Sequence, residues 1–191
     1  MAKWRYEKTQ RMKPGHGWKA KPGYQIIVAD RGAVRFDVPR TWIFKLETNE
    51  KTGLTTMTLH NRPEPDDDCR LQVTHMYLPQ GYDWSSVSWP ELLEQAVTEP
   101  AESEPLGRSP AIHEQRRDLE LAWTETRYLD AREHREARSR FCLARRGDIV
   151  VLFTLDYWPE HARRFLPVWE NIMASLRLGE YIKDPQLGPG H

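Results

Sequence analysis

The fold is decided by residues 148–157, which read DIVVLFTLDY. Apolar residues occupy both alternating faces of this stretch, with Ile149 and Val151 on one face and Val150 and Leu152 on the other. A strand that is apolar on both faces is buried on both. The stretch therefore predicts the central strand of a sheet that is covered on both sides.

Shorter stretches with the alternating pattern of strands lie on both sides of this segment. They are residues 24–29, 34–38, 42–46, 55–60, 70–78, 111–117, 120–129 and 135–145. A polar loop at 61–68 (NRPEPDDD) ends one strand, and the Pro- and Ser-containing segment 100–110 is predicted to be a surface loop. The order of these strands indicates one antiparallel sheet.

Two amphipathic segments are predicted to be helices. Ser88 and Glu91 form a capping box ahead of the first, which is expected over residues 89–99. The second carries an apolar stripe that ends at Leu176, and Pro167 is expected at its first helical position. The helices are predicted to be buried against the sheet through Trp89, Leu93, Val97, Trp169, Ile172 and Leu176.

The expected fold class is α+β, a single antiparallel sheet flanked by helices, and the chain divides into three parts. Residues 1–23 form a basic arm, residues 24–178 the domain, and residues 179–191 a C-terminal tail. Hydrophobic residues make up 39% of the 191 residues, and the chain contains eight Trp. This composition is sufficient to form a hydrophobic core. A chain disordered throughout is excluded.

Cysteine usage and hydropathy predict a cytoplasmic protein. Cys69 and Cys142 match no zinc or redox spacing and are expected to be free thiols. No run approaches the roughly 18 apolar residues of a membrane span, and the N-terminus lacks the apolar stretch of a signal peptide.

The arm differs from the domain in charge. Residues 1–23 hold seven basic side chains against Glu7, a net charge of +6, so the remainder carries −6. The residues expected to reach a partner are Lys3, Trp4, Arg5, Lys8, Arg11, Lys13 and Trp18. Aromatic groups among cations anchor a segment on another protein, or stack on bases and bind anionic surfaces. The third alternative is an arm that wraps back onto its own acidic domain.

Two sequence motifs resemble the Mog/PsbP-like family. They are Phe36-Asp37-Val38-Pro39 followed by Trp42, and a closing helix with Trp169, Ile172, Ser175 and Leu176. The resemblance covers residues 24–178 and implies an α/β/α sandwich that acts in binding or assembly. One branch of the family, the Eag-type chaperones, serves secretion effectors. The lipobox of the secreted members is missing here, a departure that argues against an envelope role.

The acidic cluster Glu64, Asp66, Asp67 and Asp68 offers oxygen ligands of the kind that Ca²⁺ or Mg²⁺ takes. It lacks the glycine and the distal glutamate of an EF-hand loop. A solvated turn is the expected interpretation, and no metal or other cofactor is predicted.

A second candidate joins His60 and His75 on neighbouring strands with Cys69 between them, as a metal or nucleophile site. Nothing in the sequence fixes that register, so half-buried or surface strand positions are the expected interpretation. The common hydrolase, zinc-protease, nucleotide-binding and redox motifs are absent from the sequence.

The segment 130–140 (DAREHREARSR) alternates acidic and basic groups, as exposed hairpins do to prevent pairing with other chains. It is either a solvated edge or a polar docking surface in which Arg132, Arg135 and Arg138 reach a partner's carboxylates.

The sequence as a whole predicts a non-catalytic, chaperone-like module that binds or assembles with a protein partner. The alternatives are a small enzyme whose cleft uses His75, Asp156 or the Asp66–Asp68 loop, and a nucleic-acid or anionic-surface binder that acts through the arm.

Overall fold

The computed structural model describes residues 4–6, 17–79, 81, 83–97 and 103–182. Within this part, the strands are β1 Trp4–Tyr6, β2 Tyr24–Ala29, β3 Val34–Pro39, β4 Ile43–Asn49, β5 Thr55–His60, β6 Cys69–Tyr77, β7 Glu104–Arg108, β8 Ile112–Arg116, β9 Leu119–Asp130, β10 Arg135–Arg146, β11 Ile149–Tyr157 and β12 Arg177–Leu178. The α-helices are α1 Trp89–Ala96 and α2 Ala162–Ser175.

The larger sheet is antiparallel and has nine strands among the described residues, in the order β1-β4-β5-β6-β11-β10-β9-β7. The ninth, β8, also pairs with β9, so β7 and β8 follow one another along the same edge. The strand β11 lies between β6 and β10, in the middle of the sheet. The predicted central strand is therefore confirmed.

A second sheet of three strands, β12-β3-β2, makes the predicted fold class wrong. The structure is a β-rich fold with two sheets and two helices in its described part, and it is not a single sheet in an α/β/α sandwich. The alternation of Val34, Phe36 and Val38 correctly places them in the core. Alternation fixes which face of a strand is buried but not which strand it pairs with, and β3 pairs with β2 and β12 instead of joining the larger sheet.

The two faces of the larger sheet have different cover. On one face β3 and α2 pack over β11, and the rings of Phe36 and Phe153 meet edge to face at 5.4 Å. On the other face α1 buries Trp89 and Leu93 against β9 and β10. The predicted burial of the helix residues is confirmed except at Val97, which is half-buried. The helices do not supply most of the cover, because the second sheet shares one face with α2.

The helix boundaries differ from the expected ones. Ser88 caps α1 as predicted, since its hydroxyl accepts a hydrogen bond from the N–H of Glu91 at 3.4 Å. Pro167 lies inside α2 and not at its first position. Because Pro167 is exposed, water can hydrate the carbonyl that its missing N–H leaves unpaired.

The segment predicted as a surface loop contains the strand β7, whose five residues are all exposed. Main-chain pairing with β9 forms this strand without burying side chains, so the polar composition gave no sign of it. Neither helix in the described part of the chain is long and apolar enough to span a membrane.

Residues 177–182, here called the C-terminal strap, continue beyond α2 along β3. The N–H of Gly179 donates to the backbone carbonyl of Ala33 at 2.9 Å, and the N–H of Ile182 donates to the backbone carbonyl of Arg31 at 2.9 Å. Gly32 lies directly beneath the strap with a φ of +101°. These bonds fix the corner between β2 and β3, which carries part of the site described below.

Candidate functional site

The loop of residues 61–68 closes over β5 and β6 and forms one wall of a cleft. Buried Asn61 organises it, because its side-chain oxygen accepts hydrogen bonds from the N–H groups of Asp68 and Cys69, each at 2.9 Å. These bonds span seven and eight residues, so the Asn61 side chain joins the beginning of the loop to its end. Although burial opposes the effect, hydrogen bonds from Arg62 and Asn61 lower the pKa of Asp68.

His60 ties the same loop to the sheet and is 2% exposed. Its Nδ1 lies 2.9 Å from a carboxylate oxygen of Asp67, and its Nε2 lies 3.5 Å from Glu64. Lys45 donates to the other oxygen of Glu64 at 2.8 Å, and this bond lowers the pKa of Glu64. Glu64 and Asp67 therefore both hold the loop in place.

The cleft has a volume of about 190 Å³ and opens between this loop and the ends of β6, β9, β10 and β11. It is lined by Pro65, Asp67, Asp68, Cys69, Arg70, Tyr128, Asp130, Ala137, Asp156, Tyr157 and Trp158. Asp67, Asp68 and Asp156, which the sequence proposed for an enzyme cleft, are brought together here. Asp66 is exposed and does not line the cleft.

Each aspartate in the cleft has a structural partner. Arg70 binds Asp156 through Nη2 at 2.8 Å and Nε at 3.1 Å, and the hydroxyl of Ser139 donates to the other oxygen at 2.5 Å. Asp130 accepts the backbone N–H groups of residues 132 and 133 at its side-chain oxygen, each at 2.9 Å. The cleft thus holds a set of satisfied carboxylates.

The electrostatics of the cleft follow from this network of carboxylates and from burial. Burial works against the charge of Arg70, but the neighbouring Asp156 outweighs it and raises the Arg70 pKa. Burial and the same carboxylate raise the pKa of Tyr128. Burial also raises the pKa of the Cys69 thiol well above its usual value, which keeps Cys69 protonated and a poor nucleophile.

The structure does not form the candidate histidine constellation, and the preferred expectation of half-buried or surface strand positions is confirmed for His75 but wrong for His60, which is buried. His60 lies opposite Arg70 in the register of β5 and β6, whereas His75 is an odd number of residues from Arg70 and points to the other face. Cys69 and Cys142 are free and buried. In the described ranges, no group of three His, Cys, Asp or Glu side chains is placed to hold a metal ion.

The arginines of the predicted hairpin surface are partly engaged with their own domain. Arg135 lies 3.6 Å over the ring of Trp158 and donates to Glu160 at 2.6 Å. Arg138 is bound to Glu136 at 3.2 Å. Arg132 is exposed. A partner's carboxylates would have to compete for Arg135 and Arg138.

The described part of the arm lies against its own domain. The backbone of β1, which includes Trp4 and Arg5, pairs with β4 at the edge of the larger sheet. Trp18 is half-buried, with the guanidinium of Arg35 at 4.6 Å from its ring. The predictions for Lys3, Lys8, Arg11 and Lys13 fall outside the described residues.

A second arrangement, here called the tyrosine patch, consists of Asp30, His75, Tyr77 and Tyr181. The Tyr77 hydroxyl donates to Asp30 at 2.5 Å, and Nε2 of His75 lies 3.6 Å from the same carboxylate oxygen. The rings of His75 and Tyr77 meet edge to face at 6.3 Å. Partial burial and hydrogen bonds with Asp30 and Tyr181 raise the pKa of Tyr77.

The tyrosine patch is both exposed and strained. Tyr77 is 44% exposed and Tyr181 is 57% exposed. Asp30 and Arg31 have positive φ values of 43° and 52°, a conformation that costs a residue other than glycine about 1 kcal/mol or more. The backbone is held there by the strap, and Asp30 can therefore reach Tyr77.

Sequence reasoning missed this patch because its members come from three distant segments. Of its members, the sequence points only to His75, as a candidate beside His60 and as a candidate in an enzyme cleft. The turn signal Asp30-Arg31-Gly32 marks the corner, but no periodicity links it to Tyr77 or Tyr181.

Comparisons with known proteins give two kinds of likeness. The Alr1449 family model matches residues 25–182. A protein of Nostoc sp. (strain PCC 7120), named "Uncharacterized protein alr1449", is 36% identical over 183 residues, which cover 95% of this chain and 91% of that protein. The solution structure of cyanobacterial PsbP (CyanoP) from Synechocystis sp. PCC 6803 is similar at a TM-score of 0.57 and 12% identity, covering 85% of this chain and 98% of that one. This second likeness concerns the fold alone, and it makes the fold PsbP-like.

Proposed function

This chain belongs to the Alr1449 family, and on that premise we propose that it is a non-catalytic module that binds or assembles with a protein partner. The observation that supports this proposal most is the tyrosine patch. Tyrosine is enriched at protein interfaces, because its ring gives a large contact area for little lost freedom, and here the exposed Tyr77 is held by a hydrogen bond to Asp30. Strain at Asp30 and Arg31 favours the same interpretation.

The contact between Tyr77 and Asp30 prepares the patch for binding. An aromatic side chain that is already held in place loses less conformational entropy when a partner covers it. Tyr181 remains the more exposed ring and is the expected anchor. Arg132 and the other hairpin arginines would extend the contact only if the partner's surface reaches the opposite end of the sheet.

The proposal is tested by quantitative affinity capture from native lysate with the full chain as bait. The variants are Tyr181→Ser and Tyr77→Phe, and Leu106→Ser is the matched control because Leu106 is 44% exposed outside the patch. A protein captured by the wild type and by Leu106→Ser, but reduced with Tyr181→Ser, is the expected result. Equal capture by all baits would contradict the proposal.

The enzyme alternative has one observation in its favour, because Asp67, Asp68 and Asp156 line a single cleft. Against it, every one of these carboxylates is bound to a structural partner. Replacing Asp156 by Asn separates the two hypotheses: an enzyme would lose its turnover, whereas a binding module would keep its partner and lose only stability.

Two finer points belong to the same proposal, and one further alternative competes with it. The first is that the protein acts in a chaperone-like way and is related to Mog or the Eag-type chaperones. This point goes beyond the family and the solved structure matched above. A cytoplasmic location is proposed from the buried free thiols. Binding of nucleic acid through the arm is less favoured, since Trp18 already packs on Arg35.

A further inference from the structure

The outer edge of β4, on the side opposite β5, is covered only in part by a short strand in the described part of the chain. Three residues of β1 pair with Glu47, Thr48 and Asn49 of β4. The strand β4 has seven residues, so the described part of β1 covers fewer than half of them. An edge strand presents a row of N–H and C=O groups that a further strand can pair with.

The sequence of β4 is complementary to itself. When two copies of β4 run antiparallel with Leu46 opposite Leu46, Lys45 of one copy faces Glu47 of the other, and two-fold symmetry repeats this pair. Phe44 and Leu46 then continue the apolar face that packs against the core, while the charged pairs lie together on the opposite face. Directly opposed opposite charges stabilise an antiparallel pair.

Other registers are disfavoured by the same residues. Centring the pair on Lys45 places two lysines opposite one another, and centring it on Glu47 does the same with two glutamates, which is destabilising. A shift by one residue sets the charged face of one copy against the apolar face of the other. Lys45 already donates to Glu64 at 2.8 Å and has a further interaction within its own chain, so pairing with a second copy shares or redirects one of its three ammonium donors.

We infer that the β4 edge is a docking site for a second copy of this chain, paired antiparallel about Leu46, and that β1 blocks this site until it leaves the edge. Two copies then share one continuous sheet across a two-fold axis, which is the symmetry of most homodimers. The inference rests on the edge and its charges, independently of the tyrosine patch and of the proposed function.

The test releases β1 in the full-length chain. Arg5→Pro removes a backbone N–H from the middle of β1 and disfavours its pairing, and Lys19→Pro, outside any strand, is the matched control. Sedimentation velocity over a dilution series should show monomers for the wild type and for Lys19→Pro, and dimers for Arg5→Pro. Circular dichroism and thermal melts first establish that each variant is folded.

Charge reversal then tests the register. In the Arg5→Pro background, Lys45→Glu and Glu47→Lys should each weaken dimerisation by roughly tenfold or more, because each reversal turns both symmetry-related pairs repulsive. The double variant with both reversals should restore the dimer. Restoration distinguishes a specific pair from a general effect on folding.

The inference is overturned by a folded Arg5→Pro protein that stays monomeric at every concentration, or by a dimer that neither reversal weakens. If Arg5→Pro does not fold, the double variant Arg5→Gly and Tyr6→Gly replaces it with the same criteria. A wild-type dimer that is weakened by the charge reversals would refute the block by β1, and a wild-type dimer that is not weakened by them would refute the pairing as well.

Discussion

Replacing Gly32 by Ala should destabilise the protein far more than a usual glycine substitution. An added Cβ at Gly32 would overlap the carbonyl oxygen of Glu180 and lie 2.8 Å from its carbonyl carbon, so backbone would meet backbone. The positive φ of +101° adds conformational strain. Because neither atom belongs to a flexible side chain, the strap has to move.

The expected loss in the free energy of unfolding follows from the interactions that the strap makes. Displacing it removes the hydrogen bonds to Ala33 and Arg31, worth about 0.5–1.5 kcal/mol each. It also exposes Ile182, whose burial contributes about 1.5–3 kcal/mol. Part of this loss is offset by the freedom that the strap regains. With the φ strain included, the free energy of unfolding should fall by roughly 3–4 kcal/mol.

Gly53 provides the control, since its φ is +71° and nothing lies within 4 Å of an added Cβ. Gly53→Ala should therefore cost only the backbone strain, about 1 kcal/mol. Urea unfolding of the wild type and both variants, followed by circular dichroism, measures the difference. Equal midpoints for Gly32→Ala and Gly53→Ala would refute the packing of the strap on this corner.

Three further predictions concern the core, the thiols and acid. Trp169→Ala removes a side chain that is 3% exposed and should cost about 3–5 kcal/mol, so a urea melt that overlays the wild type would contradict the burial of α2. Burial raises the pKa of Cys142 to about 12 and that of Cys69 well above its usual value, so a chromogenic disulfide reagent at pH 8 should react with neither thiol in the native protein and with both in denaturant. The pKa of Glu64 is lowered in the fold, so its contribution is present above the usual carboxyl pKa and lost as pH falls through the folded value. Glu64→Gln should reduce the loss of melting temperature between pH 7 and pH 3, and an unchanged loss would contradict the role of Lys45.

The sequence predicted the strands and their buried faces better than their partners. The doubly apolar pattern at 148–157 correctly indicated a central strand, because only a strand covered on both sides can hide Val150 as well as Val151. The pattern at 34–38 predicted a strand of the same sheet, and this was wrong. Burial depends on one strand's own residues, whereas pairing depends on contacts with segments far away in the chain.

Two sequence predictions were wrong at prolines, and both have the same physical reason. The segment around Pro105 was predicted to be a loop, and Pro167 was predicted to begin a helix. Pro105 lies in a strand and Pro167 in a helix, although proline usually ends both. Each residue is exposed, so the backbone group left unpaired is hydrated at little cost. Solvent exposure at a given proline is a tertiary property that a local pattern does not contain.

The candidate site was predictable only in part. Three aspartates named from the sequence line one cleft, but their partners Arg70, His60 and Ser139 come from separate strands. The tyrosine patch was unpredictable, because it depends on the positive φ at Asp30 and on the strap that brings Tyr181 to Tyr77.

Site-specific photocrosslinking at position 181 tests the central claim most directly. A photoreactive phenylalanine analogue replaces Tyr181 in the full chain, and the same analogue at Leu106 is the control. The account predicts one specific protein adduct from position 181, none from position 106, and competition by excess wild-type protein but not by Tyr181→Ser. The same adducts from both positions, or none from position 181, would contradict the claim that this patch binds a protein partner.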